Sequence, residues 1–161
     1  MEIRLRATGQ TMLEDELRRW AKENNGPSWD RTTDEVLEAL GADVVFEGPQ
    51  ATPTNHYQYS MRQGVEQFDG KWYTKYILGP VFTDNEDATA AEQEAAYKAM
   101  KDAEQAKSVR EQRDQKLKDS DWTQIADAPV DKAAWATYRQ ALRDIPSQAG
   151  FPWQIQWPVE P

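Results

Sequence analysis

The chain has 161 residues, enough for one domain or two small ones, and length alone does not choose between them. Its formal net charge of −9 opposes attraction to nucleic acid or to an anionic membrane surface. With no cysteine it has no disulfide, no thiolate zinc site and no cysteine nucleophile. No apolar run approaches the roughly 20 residues that cross a bilayer. The opening Met1-Glu-Ile-Arg-Leu-Arg lacks the apolar core of a signal peptide, so the chain is expected to be used where it is translated.

Taken in order, the first half changes periodicity often, as an α+β domain does. Ile3 and Leu5 alternate with Arg4 and Arg6, which predicts a short strand. Thr11-Met-Leu-Glu14 reads as a capping box before a helix with Leu13, Leu17 and Trp20 on one face. Asn24-Asn25-Gly26-Pro27 stops it. A second box, Thr32-Thr-Asp-Glu35, opens a short helix that turns Val36, Leu37 and Leu40 inward and ends at Gly41. Val44-Val45-Phe46 predicts a strand, followed by a loop through Gly48-Pro49 and Pro53. Tyr57, Tyr59 and Met61 alternate with polar residues, the period of a half-buried strand. Asp69-Gly70 predicts a tight turn, residues 72–78 the return strand, and Gly64 a bulge before the turn.

From about Asp84 to Lys118 there is neither glycine nor proline, with acids crowding the start and bases the end. That predicts one helix over 84–118, on the order of 50 Å long. Its best stripe is Ala96, Ala99, Ala103, Ala106, Arg110, Arg113 and Leu117, too small and polar for a coiled coil alone. A spacer helix and a self-associating one both fit. Next, Asp121-Trp-Thr-Gln124 predicts a short turn, and Asp131 caps a helix to about Asp144. On it Trp135, Tyr138, Leu142 and Ile145 share one apolar face, and Pro146 ends it. Arg139 and Arg143 are expected to pair with Asp121, Asp127 or Asp144. The remaining tail, with Gly150, Phe151-Pro152, Trp153, Ile155 and Trp157-Pro158, is expected to fold back over the Trp135/Tyr138 face.

No catalytic constellation emerges. His56 is the only histidine, and no Gly-x-Ser-x-Gly elbow accompanies it. The glycines form neither a P-loop nor a dinucleotide fingerprint. Asp84-Asn85-Glu86-Asp87 resembles a calcium loop in acidity alone, and a helix N-terminus accounts for it better. Aromatics interleaved with arginine can stack bases, yet the net charge argues against a nucleic-acid partner. We therefore expect no enzyme, no metal, no cofactor and no membrane partner.

The C-terminal residues carry a stronger signal. The run Arg110-x-x-Arg113-Asp114, Leu117, Ser120-Asp121-Trp122-Thr123-Gln124, Asp127, Pro129, Trp135, Tyr138-Arg139-Gln140, Leu142-Arg143-Asp144-Ile145, Gln148, Gly150-Phe151-Pro152, Trp157-Pro158 and Pro161 resembles the phage tail assembly chaperone family. Members are small proteins encoded beside tail-fibre genes that help the fibre fold and assemble. The resemblance covers roughly the last third of the chain. It implies a fibre-binding chaperone whose variable N-terminal part meets the distal fibre while the shared helical part does a common job. Such a chaperone is expected to act in the host cytoplasm during assembly. It needs only to bind its client, so no ATP is required, and a trimeric fibre makes three copies around it the natural symmetry. Tyr57, Tyr59, Tyr73 and Tyr76 are either the fibre contact or simply the builders of a small sheet. The alternative role is a structural component retained in the tail or baseplate of the virion.

The expected architecture is therefore α+β. Residues 1–83 form a mostly β-sheet fibre-binding domain with an antiparallel hairpin. Residues 84–161 form an α-helical chaperone domain: a long linking helix, short helices and a Pro-rich tail.

Overall fold

In the computed structural model, which describes all 161 residues, the chain divides into two units, Met1–Val81 and Phe82–Pro161. The first unit is built on one sheet. Strand β1 (Glu2–Leu5) is flanked by β2 (Thr11–Leu13) and β3 (Ala42–Phe46), and the hairpin β4 (Tyr59–Phe68) and β5 (Lys71–Gly79) completes the order β2-β1-β3-β5-β4. All pairings are antiparallel except β3 with β5. The parallel pair is possible because a long connection, residues 47–58, carries the chain past β5 to the far edge.

The register assigns the faces. Ile3 pairs with Met12 and with Val44, and Leu5 pairs with Ala42, so these side chains share one face. Helices α1 (Glu14–Glu23) and α2 (Asp34–Ala39) cover it with Leu17, Leu37 and Trp20. That buried cluster lies at the β2-β1-β3 end of the sheet and does not include β4 or β5. On the opposite face the Arg4 guanidinium lies 3.8 Å from the Trp72 ring centroid, and Arg62 pairs with Glu2.

Two caps differ from expectation. Thr11 lies in β2, and α1 starts instead at Glu14, where the Glu16 carboxylate accepts the Leu13 N–H at 2.7 Å. A three-residue strand is too short for periodicity to reveal, and Thr-x-x-Glu mimicked a box. At α2 the cap is Thr33 rather than Thr32. Thr32 is occupied elsewhere, accepting from Trp29 Nε1 at 2.8 Å and donating to Glu14 at 2.5 Å. The hairpin follows the sequence closely: Asp69 (φ 47°) and Gly70 (φ 72°) make a two-residue turn, and Gly64 (φ 84°) lies in a bulge between Arg62 and Val65.

The second unit begins with a correction. The long helix, α3, is Ala90–Asp119, not 84–118. Asn85 Oδ1 accepts the N–H groups of Asp87 and Ala88, folding the acidic stretch into a turn. Thr89 then caps the helix with Glu92 reaching back, a capping box. Its 30 residues span ~45 Å. The expected alanine stripe is also corrected: Ala96, Ala99 and Ala103 are exposed, and burial is confined to Ala106 and Val109. Only that end of α3 joins the buried cluster, because α4 (Lys132–Arg143) is short.

Asp131 caps α4 through the Ala133 and Ala134 N–H groups. Tyr138, Leu142 and Ile145 form one cluster with Val109 of α3, and Trp135, Leu117, Phe151, Ile155 and Trp157 pack against it. Gly150 permits the tail's return, since a Cβ there would sit 2.4 Å from the Gln154 carbonyl oxygen. Leu142, fully buried, is expected to cost about 2–5 kcal/mol when changed to Ala. Exposed Ile125→Ala should stay within about 0.5 kcal/mol. Urea unfolding followed by tryptophan fluorescence measures both.

Candidate partner-binding site

The C-terminal motif residues are arranged mainly to hold their own unit together. Arg139, 8% exposed, donates from Nη1 to the Leu117 carbonyl and to Ser120 Oγ, both at 2.6 Å, and from Nη2 to Asp121 at 2.8 Å. It thereby ties α4 to the end of α3 and to the 3-10 turn Asp121–Gln124. Its Nε is buried without a partner. Arg143, one turn further, is exposed and forms no ion pair, so the expected pairing holds for Arg139 alone. Arg110 lies 5.3 Å from the Phe151 ring centroid and Lys116 5.8 Å from that of Trp157, which staples the tail to α3. Arg113 turns both Nε and Nη2 onto neighbouring Asp114.

Other tail anchors were not read from the sequence. Trp153 Nε1 donates to Asp102 at 2.6 Å, and the Gln148 amide exchanges two hydrogen bonds with the Gln156 backbone. The Tyr138 hydroxyl donates to Glu160 at 3.2 Å. Burial first, then the Glu160 carboxylate, hold this phenol above its ordinary value of 10. Pro152 and Pro158 are half-buried. Of the motif's large apolar side chains, Trp122 stands out: it is 51% exposed and meets Trp135 edge-on at 6.0 Å.

The first unit presents the larger uncovered surface. Beyond α1 and α2, the helix-side face of the sheet continues over β5 and β4 through Phe46, Tyr73, Glu66 and Phe68. Phe46 is 44% exposed and Phe68 73%. Neither ring belongs to the cluster under α1 and α2; the Phe46 ring meets that of Tyr73 at 5.7 Å, with the Lys71 ammonium at 5.7 Å. A cavity of about 550 Å³ lies here, lined by Pro49, Glu66, Gln67, Phe68 and Tyr73. The four tyrosines do not form one patch. Tyr57 precedes β4 in a turn beside His56, because β4 starts at Tyr59 rather than earlier. Tyr59 and Tyr73 share the helix-side face at opposite ends, while Tyr76 lies on the other face and donates to Glu47 at 2.6 Å. Phe46 and Phe68 were missed; the signal available was Phe68 directly before the Asp69-Gly70 turn.

Compared with known proteins, the family model described as phage tail assembly chaperone protein matches residues 106–161, the C-terminal third. The matched segment runs from the buried end of α3 through α4 to the tail, and so takes in the Arg139 tie and the whole aromatic cluster. No curated protein and no solved structure matches the chain. The match supports a role as a phage tail assembly chaperone, which implies binding to a phage tail protein.

Two outcomes follow from this geometry. Arg139→Ala removes three hydrogen bonds from a charged donor and is expected to cost about 2 kcal/mol or more, against less than about 0.5 kcal/mol for Arg143→Ala, by chemical denaturation. The Tyr138 phenol has a raised folded pKa, so its contribution is fully present below pH 10 and is lost as pH rises beyond it, where the unfolded chain ionises first. Stability measured from pH 8 to 11.5 should therefore fall above about pH 10, and less steeply in Tyr138→Phe.

Proposed function

We propose that this chain is a chaperone of a trimeric phage tail fibre, binding the fibre's distal part and assisting its folding and trimerisation without ATP. The observation that carries this reading is the family match over the unit that contains the aromatic cluster and the Arg139 tie. Physical reasoning supplies the mechanism. An intertwined fibre tip exposes strand edges and apolar side chains until its three chains meet, and unpartnered chains pair wrongly. A protein that binds this intermediate more tightly than competing chains do shifts the outcome by mass action alone.

The first unit is assigned the fibre contact, since its uncovered sheet end offers exposed aromatics and an apolar cavity. The second unit is assigned the function common to the family. In this reading the client's three-fold symmetry sets three chaperones around one fibre, acting in the host cytoplasm during assembly. The work is done by binding, with no bond made or broken.

Co-expression with the adjacent fibre gene tests the proposal. The fibre is expected to move from the insoluble to the soluble fraction in complex with this chain. A fibre that is equally soluble, or equally insoluble, with and without it would overturn the reading. Mass spectrometry of purified particles then distinguishes a released chaperone, which is absent, from a retained tail component, which is stoichiometric.

A further inference from the structure

The sheet of the first unit ends at β4, and the position of its turn dictates which backbone groups face outward. Phe68 and Lys71 flank the two-residue turn as the closing pair. In such a hairpin the closing pair exchanges both hydrogen bonds, and hydrogen-bonded and non-hydrogen-bonded pairs alternate from there. Phe68 and Glu66 thus commit their backbone groups to β5, whereas Gln67 and Val65 direct theirs away from it. The bulge at Gly64 ends this run on its other side. Residues 65–68 therefore offer a short ladder of unpaired donors and acceptors, and the segment contains neither the lysine nor the proline that commonly guards an edge.

We infer that this edge, with the cavity beside it, captures an extended strand of the client, one carrying a bulky apolar side chain and a nearby Lys or Arg. Backbone pairing supplies the hold, and a side-chain pocket on the same face supplies selectivity, the combination by which sheet edges take peptides. The cavity of about 550 Å³ holds one large apolar side chain against Phe68, Tyr73 and Pro49. The charge follows from Glu66: it lines that cavity, is exposed and has no cation within ion-pair distance, so a basic residue two positions from the apolar anchor meets it across the strand. Naming the occupant as a client strand rests on the fibre-chaperone reading; the edge chemistry does not.

The test uses the full chain and an array of random 12-residue peptides. The chain is expected to retain peptides that combine a large apolar residue with Lys or Arg and lack proline. Gln67→Pro removes an outward N–H without taking a bond from β5, and Phe68→Ser opens one wall of the cavity. Each variant, with its circular dichroism unchanged, is expected to lose at least ten-fold in retention. No retained peptides, equal retention by Gln67→Pro, or a dimer of the chain itself that Gln67→Pro abolishes would each overturn the inference. A chain that still solubilises the fibre as Gln67→Pro overturns only this edge mode. A chain that holds such peptides yet leaves the fibre insoluble overturns only the fibre reading.

Discussion

The second unit depends on one buried guanidinium. Arg139 reaches across from α4 to the Leu117 carbonyl in the last turn of α3, to the Ser120 hydroxyl and to the carboxylate that opens the following 3-10 turn. A helix C-terminus leaves carbonyls without intrahelical partners, and a cation placed there satisfies them and complements the dipole. Three short charge-assisted bonds offset the desolvation of the group and of its one unpartnered nitrogen. With that crossing fixed, Tyr138 and Leu142 on the same helix fall onto Val109, and the tail has a defined surface to return to. The tail is then fastened at several points by different chemistry: ring on cation at Phe151 and Trp157, indole on carboxylate at Trp153, amide on backbone at Gln148.

Most of the motif's aromatic and aliphatic side chains accordingly join the cluster between α3, α4 and the tail. A small module that must keep one shape uses rigid aromatics and prolines to lower the ordering cost of its fold. Trp122 is the exception, held edge-on by Trp135 and half in solvent. The first unit follows the opposite logic. Its helices cover three strands well and leave the hairpin end with exposed phenylalanines, a patch of the kind that marks an interaction surface.

Much of this was legible in the residues, for identifiable reasons. The Trp135, Tyr138, Leu142, Ile145 spacing and the Asp131 cap are local rules acting on a short amphipathic helix, and the structure follows them. The Asp69-Gly70 turn and the Gly64 bulge are equally local, set by backbone conformations that few residues adopt. What was not legible depended on distant partners. The pairing of Arg139 with Asp121 was legible, but its bonds to the Leu117 carbonyl and Ser120 Oγ were not, because they require the end of α3 beside it. The alanine stripe of α3 reads as a seam, but burial is decided by how far α4 reaches, and α4 has only 12 residues. The start of α3 was misplaced because acids ahead of a helix satisfy the same charge rule whether they lie inside it or in a turn built by Asn85. The tyrosines separated into different surfaces because β4 begins at Tyr59 and a strand's alternation sends Tyr73 and Tyr76 to opposite faces.

The family match covers the second unit, and the larger uncovered apolar surface lies on the first, at the hairpin end of its sheet. The most direct measurement is amide hydrogen exchange on the chain alone and in complex with the purified tail fibre proposed as its client. The account predicts new protection in the β4–β5 hairpin, strongest at the outward amides of Val65 and Gln67, with the α3–α4 cluster unchanged. Protection confined to residues 106–161, with the hairpin exchanging as freely as before, would contradict it.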